Sequence, residues 1–165
     1  LGMYVLVCPR CYMNLNQAAQ LAYQLMSQHL ESSWKFRFNN RKRSFGICDY
    51  DNKYIELSKL HTQLESYESI KNTLLHEIAH AIAGYHNGHN RVWKAIARKL
   101  GHPNPTSTRS SDNEEHLPYK WAMVYQDKIV RGYFRKPNAN TFKEIHLYQV
   151  NGRPETRGHL KIVKL

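Results

Sequence analysis

Hydrophobic residues spaced three and four positions apart predict three helices in the first two thirds of the chain. The first covers residues 15–30, with Asn14 as its N-terminal cap. The second covers about residues 68–83 and ends at Gly84, a residue type common at helix C-termini. The third begins after Asn90, a good capping residue. Because only a short turn joins the last two, the third helix is expected to return towards the second.

A different period, the alternation of apolar and polar residues, occurs between the first two helices. It predicts strands near residues 34–39, 44–48 and 54–57. The turn after the first strand contains three consecutive basic residues, so a basic hairpin tip is expected. Helices and strands together predict an α+β fold with a small N-terminal antiparallel sheet.

The composition changes after Gly101, where prolines, serines and acidic residues interrupt the periodic pattern. We therefore predict a core domain over residues 1–101, a linker over 102–117 and a small basic β subdomain over 118–165. Four short strands are predicted in the last segment: residues 120–126, 129–135, 143–150 and 159–164. The expected arrangement is a C-terminal antiparallel β appendage.

Four of the ten histidines fall within residues 76–89. His76 and His80 are four residues apart on a predicted helix, so their imidazoles project from one face and can bind one metal ion. Neutral imidazole suits Zn²⁺, and three protein ligands leave a position for water. Glu77 lies close enough to that face to take a proton from the water as a general base. The pattern H-E-x-x-H on a helix is the signature of zinc metalloproteases.

Two histidines compete for the place of the third ligand. His86 has the spacing of the metzincin pattern, but that pattern requires glycine where this chain has Ala83. His89 follows a glycine and precedes a helix that would hold it rigidly, so His89 is favoured and His86 is the alternative.

The run from residue 76 to residue 100, HEIAHAIAGYHNGHNRVWKAIARKL, resembles the SprT-like family of zinc metallopeptidases. Residues 34–40, 43–46 and 55–58 also resemble the strands that precede the family's catalytic helix, so the resemblance covers about residues 14–101. It implies a zincin-type helical core with one Zn²⁺ per chain, bound by His76, His80 and His89, and Glu77 as base. In Spartan-type relatives it implies cleavage of proteins attached to DNA, the chemistry of DNA–protein crosslink repair.

The C-terminal region departs from that resemblance. Many family members carry a zinc ribbon with two C-x-x-C pairs there, but this chain has no cysteine after Cys48. The segment is either a ribbon that has lost its cysteines or an unrelated unit. Near the start of the chain, Cys8 and Cys11 form half of such a pattern, and we treat them as incidental.

The formal net charge of +11 and the pI near 9.7 favour a polyanionic partner, most simply DNA. The residues expected to contact it are basic side chains of the hairpin tip and a C-terminal run that interleaves charge with an aromatic ring: Arg41, Lys42, Arg43, Lys128, Arg131, Tyr133, Arg135 and Lys136.

Three cysteines provide no disulfide framework, and no stretch has the length of a membrane span or the pattern of a signal peptide. We therefore expect an intracellular monomer, cytoplasmic or nucleoid-associated, acting on a protein substrate without a membrane. Two alternatives remain: a non-catalytic nucleic-acid-binding protein with a structural zinc site, and a peptidase for ordinary proteins whose charge serves solubility. Glu77 distinguishes a peptidase from the first alternative, because a structural zinc site closes with four ligands and needs no base.

Overall fold

A computed structural model describes residues 13–106 and 117–165 of the chain. It has α+β structure, and the chain divides into two units, residues 1–112 and residues 113–165. In the described residues, no helix is long and apolar enough to cross a membrane.

The first unit begins with helix α1 (Leu15–His29), as predicted. Asn14 and Gln17 form a capping box, since each side chain accepts a hydrogen bond from the other's backbone N–H, at 2.9 and 3.0 Å. One face of α1 is buried and contributes Ala18, Leu21, Ala22, Leu25 and Met26 to the core.

A three-stranded sheet follows, with strands β1 (Lys35–Asn39), β2 (Gly46–Asp49) and β3 (Tyr54–Ser58) in the order β1-β3-β2. The strand β2 is antiparallel to β3, but β1 is parallel to β3. The prediction of an antiparallel sheet was therefore wrong for β1. The chain reverses twice between β1 and β3. The strand β1 pairs with the edge of β3 that β2 leaves free, and does not pair with β2.

A short helix, α2 (Lys59–Leu64), follows β3 and was absent from the predicted elements. Its cap, Ser58, accepts a hydrogen bond from the His61 N–H. The His61 ring also binds the basic loop between β1 and β2, because its Nε2 lies 3.0 Å from the carbonyl oxygen of Lys42. This contact fixes the backbone of the loop.

The long helix α3 (Tyr67–Ala83) packs against α1 and the sheet. Its cap is Ser66, and it ends at Gly84, whose φ of 83° favours glycine. The core between these elements contains aliphatic side chains with almost no exposed surface: Ile55, Leu57, Ile70, Leu74, Leu75 and Ile78. A rigid α3 is the frame on which the H-E-x-x-H residues are placed.

The helix α4 (Arg91–Lys99) packs against α3 and is capped as predicted by Asn90. The Asn90 side chain accepts hydrogen bonds from the backbone N–H groups of Val92 and Trp93, at 2.9 and 3.2 Å. Trp93 and Ala97 are completely buried on its inner face.

The second unit contains an antiparallel sheet of β4 (Trp121–Tyr125), β5 (Lys128–Tyr133) and β6 (Lys161–Lys164) in the order β5-β4-β6. A strand over residues 143–150 was predicted, but this prediction was wrong. The segment contains the end of helix α5 (Ala139–Lys143) and a 3-10 turn at Ile145–Leu147. The cause is local, because the Asn138 side chain accepts the Thr141 N–H and starts a helical turn.

The sheet of the second unit is held by aromatic packing and not by cysteine ligands. The rings of Tyr119 and Phe134 lie 4.8 Å apart, and a Cβ added at Gly132 would overlap the Tyr119 ring. Glycine is therefore required near the end of β5 so that Tyr119 can lie across the strand.

Candidate metal centre

The connection between α3 and α4 brings the histidines together. After Gly84, a 3-10 turn at Tyr85–Asn87 reverses the chain, and the Asn87 side chain donates a hydrogen bond to the Ala83 carbonyl at 2.5 Å. Asn90 donates another to the Asn87 side chain at 2.9 Å. The tight turn returns the chain to α3, so His89 lies opposite the helix face that carries the other two histidines.

The Nε2 atoms of His76, His80 and His89 form a nearly equilateral triangle. They are separated by 3.2 Å between His76 and His80, 3.0 Å between His80 and His89, and 3.1 Å between His76 and His89. Each Nε2 has a single in-plane position, occupied by a hydrogen or a lone pair. Three such atoms pointing at one centre cannot all satisfy one another by hydrogen bonds.

A cation at the centre fits this arrangement. Nitrogens bound to one tetrahedral zinc ion, each about 2.0–2.1 Å from the metal, lie roughly 3.3 Å apart. The observed separations of 3.0–3.2 Å are close to that value. In the described residues, these three histidines are the group of side chains that could hold a metal ion. All three are only half-buried, so the site is partly exposed.

Trp93 forms the floor of the centre. Its indole lies 4.6 Å from the His76 ring, 5.1 Å from the His80 ring and 4.6 Å from the His89 ring, measured between ring centroids. The His80 ring is stacked on it, while the other two meet it at steeper angles. One buried side chain on α4 therefore fixes the orientation of all three imidazoles.

Burial favours the neutral form of two of the candidate ligands, His80 and His89. Burial, with a smaller contribution from the charge of His89, lowers the pKa of His80 to about 4. Burial also lowers the pKa of His89, with a second contribution from the ammonium of Lys94. Neutral imidazole is the form that binds a metal ion, so the unprotonated ligands are available at neutral pH.

Glu77 is buried between α3 and the sheet, on the side where β2 begins. A Cβ added at Gly46 would lie 2.8 Å from Cγ of Glu77, 2.9 Å from its Oε1 and 2.9 Å from Cγ2 of Thr73. Because ordinary contacts of a Cβ are longer, only glycine leaves room for the Glu77 side chain in this position. The sequence contained no signal for this contact, which joins residues far apart in the chain.

The charge of Glu77 acts on two further side chains, Cys48 and Tyr50. Burial and the charge of Glu77 raise the pKa of the Cys48 thiol to about 12. Tyr50 donates a hydrogen bond to that thiol, and burial, Cys48 and Glu77 raise the pKa of its hydroxyl to about 12. The Tyr50 ring meets the Tyr85 ring edge to face at 5.6 Å. Cys48, Tyr50 and Tyr85 line a cavity of about 310 Å³.

Two other histidines lie near the centre without joining the triangle. His86 is exposed on the 3-10 turn, and its ring packs at 5.6 Å from that of Tyr85. His102 lies just beyond α4, with its ring 6.3 Å from the His76 ring. The structure thus brings His89, and not His86, together with His76 and His80.

The basic residues predicted to contact nucleic acid are mostly exposed. Arg41, Lys42 and Arg43 project from a loop whose carbonyl groups at Arg41 and Lys42 are hydrogen-bonded to Ser58 and His61. In the second unit, the four basic residues are also exposed: Lys128, Arg131, Arg135 and Lys136.

Tyr133 is half-buried, and the Arg131 guanidinium lies 5.3 Å from its ring. A base stacking on Tyr133 therefore has to share the ring with Arg131 or displace it. Cys8 and Cys11 lie outside the described residues.

A sequence model of the SprT-like family matches residues 13–115. The match includes α1, the first sheet, α3 and α4, and therefore every residue of the candidate metal centre. No curated protein matches the chain.

Proposed function

Because the chain belongs to the SprT-like family, we propose that it is a zinc-dependent endopeptidase. The observation that carries the proposal is the triangle of His76, His80 and His89 nitrogens, with the buried Glu77 next to His76 on α3. Three imidazole ligands at a partly exposed site are the donor set of a catalytic zinc site, whereas a structural site closes with a fourth protein ligand.

Zinc held by these histidines supplies a Lewis acid that lowers the pKa of water to about 7 and polarises a peptide carbonyl. Glu77 would accept the proton of the attacking water and deliver it to the leaving amine. Its close packing against Gly46 holds the carboxylate in place for that role. Trp93 keeps the imidazoles oriented and excludes water from behind the centre.

We further propose that the substrates are proteins associated with DNA. The support is electrostatic, because the chain carries 24 basic against 13 acidic residues. In the second unit, residues 117–165 contain ten Lys or Arg and three Asp or Glu. Such a surface attracts phosphate backbones through release of their counterions.

The test compares the wild type with Glu77→Gln on a basic protein bound to DNA. Glutamine preserves the shape of the side chain and removes the proton acceptor, so the variant should retain one zinc per chain and lose cleavage by several hundredfold or more. Zinc content by elemental analysis is the control. A Glu77→Gln variant that cleaves at the wild-type rate would remove the mechanism, and a non-catalytic nucleic-acid-binding protein with bound zinc would then be the better account.

A further inference from the structure

Helix α4 carries the floor of the metal centre on one face and basic side chains on the other. Trp93, on the inner face, is fully buried against the three imidazoles. At about 100° per residue, Arg91 and Arg98 point to the opposite side of the helix, with Lys99 beside them. These three side chains are exposed.

The positive charge of this outer face is not compensated along the chain. No aspartate or glutamate occurs between Glu77 and Asp112. Over residues 13–106 and 117–165, no ion pair involves Arg91, Arg98 or Lys99. The outer face of α4 therefore presents its positive charges to solvent.

The requirements of the helix itself explain only part of this charge. Arg98 and Lys99 lie in the last turn, where cations interact favourably with the helix dipole. Arg91 and Lys94 lie in the first half, where acidic residues are favoured, and the first turn of α4 contains none. The basic residues at the front of the helix thus lower its stability slightly, which points to a role outside the helix.

We propose that the outer face of α4, formed by Arg91, Arg98 and Lys99, binds the phosphate backbone of DNA directly behind the metal centre. The three residues span about 12 Å along the helix axis, and the duplex carries one charge per about 1.7 Å of its own axis. Three side chains on one rigid element can therefore reach phosphates of one duplex.

This placement has a consequence for the substrate. An α-helix with its side chains is about 10–12 Å across, so DNA on the outer face of α4 lies at least about that far from the three histidines. A protein bound to the same DNA would then be tethered to the peptidase unit at a high effective concentration. The inference rests on the proposed function for the chemistry of its ligand and adds a binding surface on the peptidase unit itself.

The experiment measures DNA binding by the full chain at several salt concentrations, with a labelled duplex and a labelled single strand as probes. The test variant combines Arg91→Gln, Arg98→Gln and Lys99→Gln. The matched control combines Lys35→Gln, Lys53→Gln and Lys59→Gln, which removes the same charge from exposed positions elsewhere on the unit. Zinc content and the thermal unfolding midpoint check that both variants are folded.

For the duplex, each phosphate contact contributes about 0.9 to the slope of log affinity against log salt, so the slope should fall by about 2–3 in the test variant. The control should keep the wild-type slope to within about half a unit. An unchanged slope in the test variant, or an equal fall in both variants, would overturn the proposed surface. If the triple variant does not fold, Arg91→Gln and Arg98→Gln alone should each lower the slope by about 0.9.

The outcomes separate this surface from the proposed peptidase activity, because binding is measured without cleavage. If the chain binds DNA through α4 but cleaves no protein, the proposed peptidase activity is refuted and the proposed surface stands. If the chain cleaves protein but the test variant keeps the full salt slope, the proposed surface is refuted and the proposed activity stands.

Discussion

His76, His80 and His89 differ in how far the sequence alone could place them. The spacing of His76 and His80 is enough, because residues four apart share a helix face. His89 depends on the turn at Tyr85–Asn87, whose geometry brings one histidine to the centre and leaves His86 exposed. The sequence favoured His89 through the rigidity of the following helix, and the three nitrogens are indeed brought together.

The paired substitutions His89→Ala and His86→Ala test that choice. Removing a ligand from the triangle should weaken zinc binding by more than the roughly 10–100-fold that is typical of residues that only support a ligand. Removing the exposed His86 should change zinc affinity by less than about threefold. Competition with a zinc chelator measures both affinities. Loss of zinc from His86→Ala alone would show that His86, and not His89, is the third ligand.

Gly46 provides a test of how Glu77 is held. In Gly46→Ala the added methyl meets Glu77 and Thr73 at 2.8–2.9 Å, so Glu77 must shift. Overpacking of this kind costs about 1–3 kcal/mol of unfolding free energy. We expect kcat to fall at least about tenfold while zinc content stays at one per chain.

Adding Thr73→Ser to the Gly46→Ala variant separates the contact with Thr73 from the contact with Glu77. Serine keeps the hydroxyl that donates to the Ser69 carbonyl and removes only the methyl that meets residue 46. Stability should therefore recover in part while kcat stays low. Full recovery of kcat by Thr73→Ser would show that the contact with Glu77 is unimportant.

At the scale of elements, caps and periodicity were sufficient for α1, α3 and α4, but not for the short helices α2 and α5 or for the first sheet. Asn14 and Asn90 cap α1 and α4 as predicted, since capping is a local interaction. The parallel pairing of β1 with β3 could not be read from alternation, because a strand's own pattern does not identify its partner. The close approach of Gly46 to Glu77 follows from the packing of β2 on α3, and was missed for the same reason.

The two capping asparagines allow a matched pair of substitutions. Asn14→Ala and Asn90→Ala each remove the acceptor for N–H groups at a helix start, and each should cost about 1 kcal/mol of unfolding free energy. Only Asn90 adjoins the residues His89 and Trp93 of the centre. We therefore expect Asn90→Ala alone to weaken zinc binding, by several-fold in a titration. Equal effects of the two substitutions on zinc affinity would mean that the start of α4 does not position the centre.

At the scale of the whole molecule, positive charge is present on both units. Residues 13–106 contain twelve Lys or Arg and seven Asp or Glu, a net charge of +5, and residues 117–165 have a net charge of +7 from ten and three. Composition alone predicted the polyanionic partner. It could not indicate which surface presents the charge, because that depends on which side chains each element buries.

The second unit is expected to contribute its own share of DNA binding. Replacing Arg131, Arg135 and Lys136 by glutamine removes three exposed charges and should lower the duplex salt slope by about 2–3. Zinc content should not change, because none of these residues belongs to the metal centre. Binding isotherms at several salt concentrations provide the measurement, and an unchanged slope would exclude this part of β5 and the residues after it from the interface.

The most direct test of the account is a crystal structure of the full chain grown with zinc, with an anomalous difference map recorded at the zinc absorption edge. The account predicts one peak per chain, about 2.0–2.1 Å from the Nε2 atoms of His76, His80 and His89. The fourth position should hold a solvent molecule within hydrogen-bonding distance of Glu77. A peak bound by His86 in place of His89, a fourth protein ligand that closes the site, or no zinc at these histidines would contradict it.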